Sequence, residues 1–211
     1  MASMGDAALL LRWTGMARDG DPAMVESAYR SIRRARLRGV VDVVPAPASV
    51  LVRFDPSRVS ATLLRQALPP LVPQPAQAKQ GRAHAISVRY GGSAGPDLEE
   101  VAHRLHLSQD EVIRLHQGTE YTVLATGFAP GFVYLGPLPP ALRLPRREDP
   151  RISVPAGSVA IADALTGIYG IRSGGGWWLI GRTETPTFDP NRLPPTPFAI
   201  GRRVCFRAVD R

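Results

Sequence analysis

The chain has 211 residues, 26 Lys and Arg against 18 Asp and Glu, a formal net charge of +8 and a single cysteine, Cys205. That length holds one large domain or two small ones, the lone cysteine excludes an internal disulfide, and no apolar run reaches the roughly 18 residues of a membrane-spanning helix. The positive charge is almost wholly arginine, with Lys79 the sole lysine, a skew that a GC-rich coding sequence produces whatever the function.

The start, Met1 to Asp6, lacks the basic segment and long apolar stretch of a signal peptide, so a cytoplasmic location is expected. Residues 7–12 read as a short apolar strand. Asp21-Pro22 opens a helix over 23–38, since Asp caps well and Pro suits the first turn. Met24, Ala28, Ile32 and Ala35 form its apolar stripe, and Gly39 stops it. Arg30, Arg33, Arg34, Arg36 and Arg38 crowd this helix. Without an aromatic platform beside them they read as a solvated face, and no nucleic-acid or membrane partner is expected.

Two β-rich runs, 40–44 and 50–54, flank the turn 45–49, and a second helix follows over 59–68 with Leu63, Leu64 and Leu68 inward. This βαββα order begins a split βαβ, ferredoxin-like unit. Residues 69–81 hold four prolines and no aromatic, which marks a semi-extended linker. The expected division is a domain over 1–80 and another over 81–211. A strand over 85–90, a helix over 97–105 and a helix opened by the capping box Ser108-Gln109-Asp110-Glu111 come next. Beyond Glu120 no helix is expected. Apolar runs at 121–125, 158–161, 168–171, 177–180 and 203–209 alternate with Gly and Pro turns, the pattern of a closed or strongly bent antiparallel barrel.

The most informative stretch is 126–183. It contains Thr-Gly-Phe-Ala-Pro-Gly-Phe-Val-Tyr-Leu-Gly from Thr126, Val-Pro-Ala-Gly-Ser-Val from Val154 and Gly-Gly-Trp-Trp-Leu-Ile-Gly-Arg-Thr from Gly175. Glycine permits close backbone approach, proline fixes direction, aromatics give flat walls and arginine gives a planar donor fork. Such residues suit a rigid pocket or partner surface built from loops.

With Tyr90-Gly91-Gly92, the run Gly95 to Ala102, Leu115-His116, Thr166-Gly167-Ile168-Tyr169 and Gly175-Gly176-Trp177, these segments resemble the family of the 5-oxoprolinase B component (PxpB), also called the KipI-type or allophanate hydrolase subunit 1 family. The resemblance covers nearly the whole chain. It implies an α+β protein with an N-terminal ferredoxin-like domain and a C-terminal cyclophilin-like β-barrel. It implies a non-autonomous B component that acts with a C component (KipA-type) and an A component in ATP-dependent opening of 5-oxoproline to L-glutamate. Other branches imply inhibition of a histidine kinase, or a carboxyltransferase part of a urea carboxylase or allophanate hydrolase system. The chain departs from the family pattern at Leu165, Gly170 and Gly174.

Within the matched motifs His116 is the candidate catalytic residue, as a proton carrier or hydrogen-bond donor; the alternative is a histidine packed on the barrel. Arg146 and Arg151, held by proline turns, suit the paired oxygens of a carboxylate, carbamate or acyl phosphate, or else bridge loop carbonyls. Gly157 and Ser158 after Pro155 could offer backbone donors to an oxyanion. Phe128, Pro130, Gly131, Phe132, Tyr134 and Trp177 complete the expected ligand-binding set. Trp177 and Trp178, being adjacent, point to opposite sheet faces. His103 and His106 are spaced like a metal pair but have no third ligand, so no metal site is expected. No P-loop occurs, and no cofactor is assigned to this chain; ATP belongs to the complex.

Overall fold

The computed structural model describes residues 1–12, 22–46, 48–71 and 83–209. The chain divides into two compact units, Met1–Gln80 and Gly81–Arg211.

The first unit is a four-stranded antiparallel sheet with helices. Its strands are β1 (Ala2–Ser3), β2 (Ala8–Arg12), β3 (Val40–Ala46) and β4 (Ser49–Phe54), in the order β1-β2-β4-β3. β2, helix α1 (Pro22–Ala35) and β3 form a crossover, with β4 inserted between the two strands. Alternation on β2 and β4 buries Leu9, Leu11, Val50, Val52 and Phe54 under α1, which contributes Val25, Ala28 and Ile32.

Two expectations need correcting here. The helix ends at Ala35 rather than Arg38, with Arg36 in the left-handed region at φ 44° and Ala35 exposed. Leu63 is exposed, not inward, whereas Leu64 and Leu68 are buried. Ser60 caps α2 (Ala61–Ala67) through the Leu63 amide, and that start aligns Leu64 with Leu68 four residues on. The Arg-rich face of α1 is solvated, with Arg30 paired to Glu26 at 2.6 Å and Arg33 donating to the Tyr29 hydroxyl at 2.8 Å. Asp21 and most of the linker lie outside the described residues.

The second unit opens with β5 (His84–Tyr90), α3 (Leu98–Leu105) and α4 (Gln109–Gln117). Ser108 and Glu111 form the expected capping box of α4. There follow β6 (Glu120–Thr126), β7 (Val133–Gly136), β8 (Arg151–Val154), β9 (Ser158–Ala162), β10 (Leu165–Ile168), β11 (Ser173–Gly175), β12 (Trp178–Arg182) and β13 (Arg203–Ala208). Seven strands close a barrel in the order β10-β7-β6-β13-β5-β12-β9, while β8 and β11 pair separately. The barrel is not wholly antiparallel, because β13 runs parallel to β5. The strand expected at 168–171 instead lies at Leu165–Ile168.

Strand alternation sorts the barrel's side chains into two layers. Val133, Leu135, Val159, Ile161, Ile168, Trp178 and Ile180 fill the interior with residues of α3 and α4. Phe132, Ala160, Ala162, Tyr169, Trp177 and Leu179 form an outer cluster with Val154 of β8. The two tryptophans do face opposite ways, and both are buried.

Candidate functional site

Strand register gathers four loops at one rim of the barrel. Thr126 pairs with Val133, Val133 with Ile168, Ile168 with Val159, and Arg182 with Ser158. The connections at 127–132, 155–157, 169–172 and 183–188 therefore leave the barrel together. Glycine lets them approach. Gly157 has φ +80°, and a Cβ there would collide with the Thr183 carbonyl oxygen. At Gly170 a Cβ would meet the Pro130 carbonyl oxygen and the Gly131 carbonyl carbon, each at 2.5 Å.

Between these loops lies a groove of about 480 Å³, walled by Arg89, Gly157, Tyr169, Arg182, Thr185 and Thr187 among others. That volume falls in the usual range for small-molecule sites. Arg182 Nε donates to the Ala156 carbonyl at 3.2 Å. Arg89 Nη2 lies 2.7 Å from Glu184 Oε1, in an exposed pair. The Thr185 amide donates to Thr183 Oγ1 at 3.1 Å. Thr187 is buried, and its hydroxyl has no hydrogen-bond partner among the described residues. A second depression, about 370 Å³ near Pro194 and Pro195, is walled by these prolines together with Phe188, Asp189, Arg192 and Leu193 among others.

The expected site residues fall into three places. Phe128, Pro130, Gly131, Pro155, Gly157 and Ser158 sit at the rim. Phe128 is 68% exposed at φ +74°, an unusual backbone for an aromatic, and its ring meets Phe132 edge-on at 5.5 Å. The backbone donors proposed for an oxyanion are engaged: the Gly157 amide donates to the Tyr169 carbonyl at 2.7 Å and the Ser158 amide to Pro155 at 3.3 Å. Phe132, Tyr134 and Trp177 pack on the barrel's outer face, with Phe132 and Tyr134 centroids 4.6 Å apart. Burial raises the pKa values of Tyr134 and Tyr169; a bond from the Trp177 amide opposes this at Tyr169, and Arg146 opposes it at both.

Neither Arg146 nor Arg151 reaches the groove. Arg146 lies 3.5 Å from Asp163, in the turn at the far end of β9 and β10. Arg151 Nη2 donates to Asp97 Oδ1 at 2.6 Å, with Arg147 3.4 Å from the same oxygen. Asp97 Oδ2 accepts from the Leu179 amide at 2.7 Å, and the Asp97 amide donates to the Leu179 carbonyl at 2.9 Å. Asp97 thus ties the start of α3 to β12 and β8. Trp178 donates to the Pro145 carbonyl at 2.7 Å and lies under the guanidinium groups of Arg104 and Arg147, each 5.0 Å from its ring.

His116 is fully buried in the barrel core. Thr166 donates its hydroxyl to the Ala160 carbonyl at 3.0 Å, so His116 Nε2 carries the proton and donates to Thr166 Oγ1 at 2.8 Å. Nδ1 then accepts from the Tyr90 hydroxyl at 2.7 Å. The ring stacks on Phe206 at 4.5 Å. Burial pushes its pKa down to about 3. A neutral imidazole bonded at both nitrogens to hydroxyl groups and sealed from solvent has the character of a packed histidine.

Comparison with known proteins agrees with this architecture. The model of the family described as "Carboxyltransferase domain, subdomain C and D" matches residues 1–198. The chain belongs to this carboxyltransferase-domain family. A family relative from Bacillus subtilis (strain 168), named as the B component of 5-oxoprolinase, is 36% identical over 98% of this chain and 91% of that protein. The resemblance read from the motifs is thereby borne out. The crystal structure of TTHA0988 in space group P212121 superposes with a TM-score of 0.83 at 39% identity, over 97% of this chain; the chain spans 40% of that longer protein. The Kluyveromyces lactis urea carboxylase shares the fold at a TM-score of 0.75 and 18% identity, over 97% of this chain and 21% of its own.

Sequence reasoning missed most of the groove. Arg89 comes from β5, far in sequence from Thr185 and Thr187 of the 183–188 connection, and no motif joins them. Arg182 stood inside the quoted Gly-Arg-Thr motif, and that motif was the available signal.

Proposed function

We propose that the chain acts as the B component of a multi-subunit, ATP-dependent 5-oxoprolinase that opens the lactam of 5-oxoproline to L-glutamate. The observation that carries this reading is the 36% identity, over 98% of this chain, to a B component of 5-oxoprolinase. The chain is a non-autonomous component of an amide hydrolase. It works with the KipA-type C component and the A component in a cytoplasmic complex that supplies the ATP-dependent step. The rim loops give it a ligand-facing end. The exposed Phe128 ring at the same rim offers an apolar contact for a partner component to cover.

The remaining fold detail fits the same reading. In the first unit β4 lies between β2 and β3, which α1 connects, as in the ferredoxin-like split βαβ. The closed seven-stranded barrel is read as cyclophilin-like. A fold of that kind carries no isomerase activity by itself, since function resides in the site.

Genetic complementation tests the proposal. In a bacterial strain deleted for its own B component, this chain restores growth on 5-oxoproline as sole nitrogen source. Growth no better than the empty vector, with the chain present and folded in the cells, contradicts it.

A further inference from the structure

From the rim groove we infer a binding site for the carboxylate of a small molecule, with Arg182 as its anchoring cation. The inference rests on the 5-oxoprolinase reading only for which carboxylate is bound.

Three features support it. First, Arg182 is pre-positioned. Its Nε is occupied by the Ala156 carbonyl at 3.2 Å, which fixes the guanidinium plane. No ion pair engages Arg182 among the described residues. The paired Nη groups are left to face two oxygens at once, the geometry a carboxylate satisfies bidentately. Second, Arg89 adds positive charge on the neighbouring strand, Arg89 and Arg182 being directly paired between β5 and β12. Its ion pair with Glu184 is exposed, and pairs of that kind are easily exchanged for a ligand. Third, the wall is built to be close and polar. The collision that a Cβ at Gly157 would make shows how tightly the 155–157 loop sits on Thr183. On the same wall the Thr185 amide donates to Thr183 Oγ1 at 3.1 Å, which fixes the loop beside Arg182. A volume of about 480 Å³ accommodates a single-ring carboxylate and exceeds what a lone inorganic anion needs.

The test is amide-resolved NMR titration of the full chain, alone and with the C component, using L-5-oxoproline, acetate and the neutral lactam 2-pyrrolidinone. The expected result is that L-5-oxoproline shifts the amides of Gly157, Gly170, Thr183 and Thr185. 2-Pyrrolidinone shifts them at least tenfold more weakly. Arg182→Gln weakens L-5-oxoproline by about tenfold or more, the scale of one charged hydrogen-bond partner, while its unperturbed amide spectrum elsewhere reports an intact fold. Arg182→Lys recovers part of the loss. Acetate and L-5-oxoproline shifting the groove equally, both through Arg182, keeps the carboxylate site and removes 5-oxoproline as its preferred ligand. Equal binding of 2-pyrrolidinone, unchanged affinity in Arg182→Gln, or no shift in these amides with or without the C component overturns the inference.

Discussion

At the scale of single residues, His116 and Asp97 hold the barrel by opposite means. His116 is neutral in the fold, with its pKa pushed down to about 3 by burial from an ordinary 6.5. Between those values the unfolded chain binds a proton that the folded chain refuses. Stability therefore falls as pH drops from about 6.5 toward 3, with unfolding taking up about one extra proton through His116. Chemical denaturation across that range should show the slope. His116→Gln should be less stable at pH 7 by about 1–3 kcal/mol and should lose most of the His116 share of the slope. An unchanged pH slope would mean that the ring is solvated. Asp97 instead sits between two arginines and a backbone amide, all three of which its carboxylate oxygens engage. Asp97→Asn should cost about 2–4 kcal/mol, because it leaves the two half-shielded guanidinium groups without their anion. A double-mutant cycle in urea with Arg151→Met should recover a coupling of about 1 kcal/mol or more.

Elements explain what the sequence could and could not show. Helix α2 is legible in kind and mistaken in phase. Its cap at Ser60 turns Leu64 and Leu68 inward and Leu63 out. Leu64→Ala should cost about 2–5 kcal/mol in a denaturation curve, while Leu63→Gln should change stability by no more than about 0.5 kcal/mol. The reverse order would contradict the packing. β5, β6, β9, β12 and β13 were visible because each is an apolar run between turns. β8 and β11 were not: Ile152 is 98% exposed and Ser173-Gly174-Gly175 carries no apolar signal. The parallel pairing of β13 with β5 joins residues over a hundred positions apart, as Val204 with His84, and no local pattern encodes it. The rim is legible through its glycines. Gly157→Ala should lower stability by about 2 kcal/mol or more, since it combines a positive φ with a collision at Thr183. The same substitution should also perturb the groove amides. The groove's charge was hidden because Arg89 and Arg182 meet only through strand pairing.

For the whole molecule, family membership goes with a division of labour. Under the proposed function the chain supplies a barrel rim with a basic groove, and partner components supply the ATP-dependent chemistry. The most direct test is 5-oxoproline-dependent ATP hydrolysis by the purified A, B and C components, with each omitted in turn. Turnover to glutamate is expected with all three, a fall to background without this chain, and no turnover by this chain alone. Full activity in its absence, or 5-oxoproline hydrolysis by the isolated chain with ATP, would contradict this division.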